Sequence, residues 1–122
     1  MDIFYELMTI GKNIFDATSI IMCLISDVKG RETTILTERD KKTLKRASNK
    51  LNKALGVIKK LSKENDDYKI TIIIGAYEIP IVAFERTIQE SALSNEWTPE
   101  QLRVLENYTH QAVYSIMIGG RY

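Results

Sequence analysis

The sequence predicts an all-α fold, a compact bundle of four main helices. Apolar residues recur every three or four positions along four long segments, the spacing of one helix face. Short runs of glycine or of polar, turn-forming residues separate these segments. The chain has 122 residues, a single-domain length, so we expect one helical domain over 1–122. The predicted helices span residues 2–28, 37–64, 68–94 and 99–118.

The first predicted helix is strongly apolar. We expect Asp2 to cap its start and Gly30 to mark its end. Because a helix this apolar must be covered by others, we expect it at the centre of the bundle or in a subunit interface. The residues expected on its wide buried face are Phe4, Leu7, Met8, Ile14, Phe15, Ile21, Met22, Ile25 and Val28.

The second predicted helix follows a connection in which 33–36 can form a short strand. Thr37 is the expected N-cap, and Asp40 stands three residues later in the position of a capping box. The apolar residues of this helix then fall on one face, as in an amphipathic helix packed on a core. They are Leu44, Ala47, Leu51, Leu55, Ile58 and Leu61.

Positive charge is concentrated in this second helix. Residues 38–63 hold ten of the seventeen basic residues and only two of the sixteen acidic ones, whereas the whole chain is nearly neutral at +1. Such a helix can meet a polyanion such as nucleic acid, or an acidic surface within the fold, across an oligomer or on another protein. The residues predicted to make these contacts are Arg39, Lys42, Lys45, Arg46, Lys50, Lys53 and Lys60.

The third segment carries two conflicting patterns. A helical seam runs from Ile70 through Tyr77 to Ile88, but 70–74 is a β-branched run that suits a strand. Pro80 cannot donate a hydrogen bond to the carbonyl four residues earlier, so it argues for a break. We expect a helix kinked or broken near Pro80, with 68–79 left open between helix and strand.

The fourth helix has a well-marked start. Thr98 is the expected N-cap, Pro99 takes the first helical position and Gln101 completes a capping box. Trp97 can then pack on Leu102 as a hydrophobic staple, so we interpret this only tryptophan as a structural clamp rather than a base-stacking platform. Residues 119–120, both glycine, are expected to end the helix.

Little in the sequence indicates catalysis or a cofactor. Cys23 and His110 are the only cysteine and histidine, so no disulfide or zinc-ligand set is expected. Nucleotide-binding and serine-hydrolase motifs do not occur in it. The acidic N-terminus is unlike a secretory signal, and the longest apolar stretch, near 17–25, is shorter than a bilayer span. We therefore predict a non-enzymatic, cytoplasmic protein without cofactor, metal or membrane contact.

One spacing in the fourth helix suggests an alternative. Arg103 and His110 are seven residues apart and share a helix face, and this arginine–histidine spacing resembles that of the HEPN ribonucleases, small all-α domains that pair to form one active site. The resemblance implies that His110 moves a ribose hydroxyl proton while Arg103 stabilises phosphate charge. The chain departs from that family at Val104, where a polar residue usually follows the arginine.

Two short stretches are similar to the small helical subunit of type III CRISPR complexes, which binds nucleic-acid backbone. They are 69–76, and 112–114 followed by 119–120; the arginine motif of that family is missing after Ala76.

The main hypothesis is a binding protein of the regulator or inhibitor type that contacts nucleic acid or a charged protein through its basic helix. The alternative is a phage-type adaptor, such as an anti-CRISPR protein, that docks on a larger enzyme. We expect a homo-oligomer joined through the first or third helix.

Overall fold

The structure, a computed structural model, describes residues 3–119 and shows the all-α four-helix bundle that the sequence predicts. The predictions for Asp2 and Gly120 concern residues outside the described range. Every predicted helix is present, with its ends within one residue of the expected ones. The helices are α1 (Ile3–Lys29), α2 (Glu38–Glu64), α3 (Tyr68–Leu93) and α4 (Pro99–Gly119).

The helices form a ring in which each packs against its two neighbours in the order α1, α2, α3, α4. Short connections make neighbours antiparallel, so the α1–α2 and α3–α4 connections lie at one end of the bundle. All four helices contribute to one core. Its largest fully buried side chains include Trp97, Phe84, Ile14, Leu51 and Leu105.

The third segment is a single helix that continues through Pro80. The region 68–79 is therefore helical and α3 is not broken there. Ile74, Tyr77 and Ile81 are each no more than 4% exposed, so burial of the helical seam outweighs the β-branched run. No strand forms within residues 3–119: of the strand considered at 33–36, only an isolated antiparallel bridge between Ile35 and Glu96 is present.

The expectation for α1 was only partly right. Ile14, Ile21, Ile25 and Val28 are buried as predicted, but α1 occupies a corner of the ring rather than its centre. Two neighbours cover only part of a helix circumference, so a face as wide as the predicted one cannot all be buried. The side chains of the predicted face that the bundle leaves exposed, with their exposed fractions, are Phe4 69%, Met8 72%, Phe15 61% and Met22 47%; the alternative of a subunit interface stays a prediction.

The start of α2 follows the predicted capping chemistry, whereas at the start of α4 the N-cap forms but the predicted capping box does not. Thr37 Oγ1 accepts a hydrogen bond from Asp40 N at 3.1 Å, and Asp40 Oδ2 accepts one from Thr37 N at 2.9 Å, which completes the capping box of α2. At α4, Thr98 Oγ1 accepts from Gln101 N at 3.1 Å, while Gln101 Nε2 donates to Ser94 Oγ instead of closing a reciprocal box.

Trp97 is a structural clamp, as predicted. Its side chain is 1% exposed and its Nε1 donates to the carbonyl of Ser91 at 3.0 Å. Its backbone N–H donates to Thr34 O at 3.0 Å, which joins the α3–α4 connection to the α1–α2 connection. The indole is therefore occupied by the core and by the backbone, and it offers no face for stacking on a base.

Candidate functional site

The solvent-facing side of α2 carries a line of basic residues that we call the outer stripe. Its positions recur at alternating steps of three and four, so they lie above one another along the helix. This line lies opposite the buried face that holds Leu44, Leu51 and Ile58. The outer stripe has six basic members, Arg39, Lys42, Arg46, Lys53, Lys60 and Lys63, and two neutral ones, Asn49 and Gly56.

Five of the seven predicted contact residues point their charge to solvent. Arg39, Lys42, Lys45, Arg46 and Lys53 are all exposed, and within residues 3–119 none of them forms an ion pair. Four of the five belong to the outer stripe. The fifth, Lys45, lines the groove between α2 and α3 beside Asn49. Their charges are thus not neutralised inside the described part of the protein.

The other two predicted residues help to hold the bundle together. Lys50 Nζ lies 3.7 Å from Asp16 Oδ2, and Lys60 Nζ lies 3.4 Å from Glu6 Oε1. Both acids are on α1, so these pairs tie α2 to its neighbour. Acidic residues of α1 therefore pair with Lys50 on one flank of α2 and with Lys60 of the outer stripe, while the other four predicted residues of the outer stripe form no ion pair within residues 3–119. Sequence reasoning could not separate these two groups, because charge alone does not reveal which lysine lies beside another helix.

A cleft of about 700 Å³ runs between α1 and α2 beside the outer stripe. Arg39 and Arg46 line it together with Thr43 and the exposed thiol of Cys23. A third arginine in the cleft, Arg31, is already engaged by carboxylates. Polar donors next to two arginines without ion pairs form an environment that accepts anionic oxygens.

The engaged arginine forms a tight cluster at the end of the cleft. Arg31 binds both oxygens of Asp40 and also contacts Asp27. Hydrogen bonds from Arg31, followed by those from Thr37, lower the pKa of Asp40 to about 2, although its burial opposes this shift. Its hydrogen bonds with Asp40, and next those with Asp27, raise the pKa of Arg31. Sequence reasoning found Asp40 only as a helix cap and missed its pairing with Arg31.

The alternative pair, Arg103 and His110, lies on α4 with both side chains exposed. Within residues 3–119 no hydrogen bond or ion pair joins them to each other. His110 lines a groove with Lys29 and Glu106, which form an ion pair at 2.8 Å. That ion pair lowers the pKa of Glu106, and His110 contributes a smaller effect in the same direction. Neither residue of the pair lies at the basic surface of α2.

In the described range no group of three histidine, cysteine, aspartate or glutamate side chains could hold a metal ion. By length and composition alone, α1 is long and apolar enough to cross a membrane. Core helices of soluble proteins also meet this criterion. Comparison with protein-family models, curated proteins and solved structures finds no match to this chain.

Proposed function

We propose that this chain is a non-enzymatic binding protein whose outer stripe on α2 contacts the phosphate backbone of nucleic acid. The observation that carries the proposal is the line of exposed cations at Arg39, Lys42, Arg46 and Lys53, none of which is paired within the described residues. Released counterions make such contacts favourable without any reading of base sequence.

The dimensions of the stripe suit a long polyanion. From Arg39 to Lys63 the helix rises about 36 Å, close to one turn of B-form DNA. The helix is fixed on the core through Leu44, Leu51 and Ile58, each fully buried, so the cations are held in line before binding. Such preorganisation reduces the ordering cost of association.

The composition of the stripe favours contact with phosphates over recognition of bases. Residues 38–63 hold eight lysines and two arginines, and lysine acts as a point charge rather than a bidentate fork. No aromatic residue occurs in this stretch, so stacking on single-stranded bases is not favoured. We therefore expect similar affinity for unrelated duplex sequences.

A salt series with a matched pair of variants tests the proposal. Binding of a labelled 30-base-pair duplex is measured by anisotropy between 50 and 200 mM salt for the wild type, for Lys42→Gln with Arg46→Gln, and for Lys12→Gln with Arg103→Gln. The second pair removes the same charges from exposed positions on other helices. If both stripe residues contact phosphates, the first variant lowers the slope of log K against log salt by about 1.8 and the control leaves it unchanged.

Two outcomes would overturn the proposal. One is no detectable binding of duplex DNA or of RNA at 50 mM salt, which would leave docking on an acidic protein as the role of α2. The other is an equal loss of affinity in both variants, which would show that net charge or the surface around Arg103, rather than the outer stripe, governs binding.

Gly56 allows a gain of binding to be tested. It is exposed in the middle of the outer stripe, and a Cβ added there meets nothing within 4 Å. Gly56→Lys and Gly56→Glu should both stabilise α2, by about 0.5–1 kcal/mol, because glycine is a poor helix former. Only Gly56→Lys should also tighten duplex binding, whereas Gly56→Glu should weaken it. Equal affinities of the two variants would exclude the stripe as the contact surface.

A further inference from the structure

The outward face of α3 carries a second apolar line, separate from the one buried in the core. Its residues alternate at steps of four and three over the whole helix, the heptad spacing of a coiled-coil seam. Tyr68 and Ile79 are each 76% exposed and Leu93 is 85% exposed, so the bundle itself does not cover this line. We call it the α3 seam: Tyr68, Ile72, Gly75, Ile79, Val82, Arg86, Gln89 and Leu93.

We propose that the α3 seam pairs with the α3 seam of a second copy of this chain, with the two helices antiparallel. The two-fold axis passes between residues 80 and 81, so that Ile79 packs on Val82 of the second copy and Tyr68 packs on its Leu93. This register places every apolar residue of the seam, apart from Ile72, opposite another apolar residue. Ile72 then faces the flexible side chain of Gln89.

Complementary shape supports this register. Gly75 falls opposite Arg86 of the second copy, so the longest side chain of the seam meets the position that has no side chain. A Cβ added at Gly75 would meet nothing within 4 Å in the single chain, so this gap lies open on the surface. Packing a large residue against a small one lets two helices approach closely at that level.

Complementary charge supports it on one flank, whereas on the other flank Glu78 lies beside Glu85 of the second copy. Lys69 and Glu90 flank the seam on the same side, and both are exposed. In the antiparallel register each Lys69 lies beside Glu90 of the second copy, which gives two interchain ion pairs at the flanking positions that set orientation in coiled coils. A parallel pairing would instead place Arg86 against Arg86 and Glu85 beside Glu90, which is repulsive.

The size of the contact predicts a weak dimer. The 26 residues of α3 extend about 39 Å, and a contact strip about 10 Å wide covers roughly 400 Å² on each copy. Roughly 800 Å² in total is smaller than the roughly 1,200–2,000 Å² of stable specific interfaces, so association should be weak and depend on concentration in the micromolar range or above.

This dimer would also extend the nucleic-acid surface, an inference that rests on the proposed function. The two-fold axis of an antiparallel helix pair is perpendicular to the plane that contains both helices. Equivalent flanks of the two helices therefore lie on the same side of that plane. Since α2 packs beside α3 on the flank of Glu85, both outer stripes would face the same side of the dimer. With neighbouring helices 8–10 Å apart, the two α2 axes would lie roughly 20–25 Å from each other.

Sedimentation velocity without nucleic acid tests the dimer separately from the proposed function. The wild type should shift from monomer to dimer as its concentration rises, and Ile79→Asp should weaken the dimer about tenfold or more. The matched control is Met8→Asp on α1, an apolar position that is exposed to a similar extent, 72% against 76%. A wild type that stays monomeric at millimolar concentration, or an equal loss in both variants, would overturn the proposal.

A charge exchange tests the orientation. Lys69→Glu and Glu90→Lys should each weaken the dimer, and the two changes together should restore it. In the antiparallel dimer, residue 68 of one copy lies level with residue 93 of the other copy, so about 25 residues of helix separate the two copies of residue 68. Spin labels placed by Tyr68→Cys in a Cys23→Ser background should therefore lie about 40 Å apart. Labels closer than about 20 Å, as expected for parallel pairing on the same helix geometry, would overturn the antiparallel arrangement.

Discussion

The guanidinium of Arg31 binds the carboxylate of Asp40 with both of its terminal nitrogens, at 2.6 Å from Nη1 to Oδ2 and 2.8 Å from Nη2 to Oδ1. Asp40 is 3% exposed and also accepts a hydrogen bond from the backbone N–H of Thr37. One carboxylate therefore caps α2 and fixes the connection that leads into it. Bidentate pairs of this kind are among the stronger polar contacts in proteins.

The first prediction concerns the pH dependence of stability. The pKa of Asp40 is lowered from 3.8 to about 2 in the folded protein, so its stabilising effect is complete above pH 3.8 and disappears as the pH falls through 2. This contribution to the free energy of unfolding is about 2 kcal/mol. Urea unfolding of wild type and Asp40→Asn should therefore differ by about that amount at pH 5 and converge near pH 2.

A neighbouring carboxylate supplies the control for this measurement. Glu32 is exposed in the same connection, and Glu32→Gln should follow the wild-type pH profile. A difference between wild type and Asp40→Asn that stays constant from pH 5 to pH 2 would contradict the prediction, because it would indicate lost packing rather than a lost charge pair.

The second prediction compares two adjacent residues of α1. Ile14 is fully buried, whereas Phe15 is 61% exposed. Ile14→Ala should lower the free energy of unfolding by about 2–5 kcal/mol, because it leaves a cavity in the core. Phe15→Ala should change it by less than about 0.5 kcal/mol, as at most surface positions. Chemical denaturation of the dilute monomer measures both, and a large loss in Phe15→Ala would place α1 deeper in the bundle.

The third prediction concerns Pro80. It lies inside α3, where it cannot donate a hydrogen bond to the carbonyl of Ala76. Pro80→Ala restores a donor and a better helix former, so the free energy of unfolding should rise by about 1–3 kcal/mol. Pro99→Ala is the control: at the first position of α4 no donor is needed, so we expect a change within about 0.5 kcal/mol. A loss of stability in Pro80→Ala would contradict this prediction.

The helices could be predicted from the sequence because their signals are local. The capping pair of Thr37 and Asp40, and the spacing of Ile74, Tyr77 and Ile81, depend only on near neighbours and the helix period. Burial on α1 was less predictable, since the apolar pattern includes both Ile14 and Phe15 and does not say how many helices will cover it. That number is a property of the whole bundle.

The sequence predicts which basic residues share a face of α2, but not which of them form ion pairs within the fold. Spacing places Lys42, Arg46 and Lys53 on one line, and the structure shows all three exposed. Lys50 could be distinguished from them only once Asp16 of α1 was in place beside it. A partner that is distant in sequence leaves no trace in the local pattern, which is why Arg31 and Asp40 were not paired in advance.

The backbone bonds between the two connections at one end of the bundle have a consequence for local opening. Leu36 N donates to Asn95 O at 2.8 Å and Trp97 N donates to Thr34 O. These hydrogen bonds join the two connections, and so they hold together the four helix ends that the connections link. At the other end the turn at 65–67 connects α2 to α3, and among the described residues α2 is tied to α1 by the side-chain ion pair of Lys60 with Glu6 rather than by backbone bonds. Amide hydrogens should therefore exchange more slowly with solvent near the tied end, and separation of the helices should begin at the opposite end.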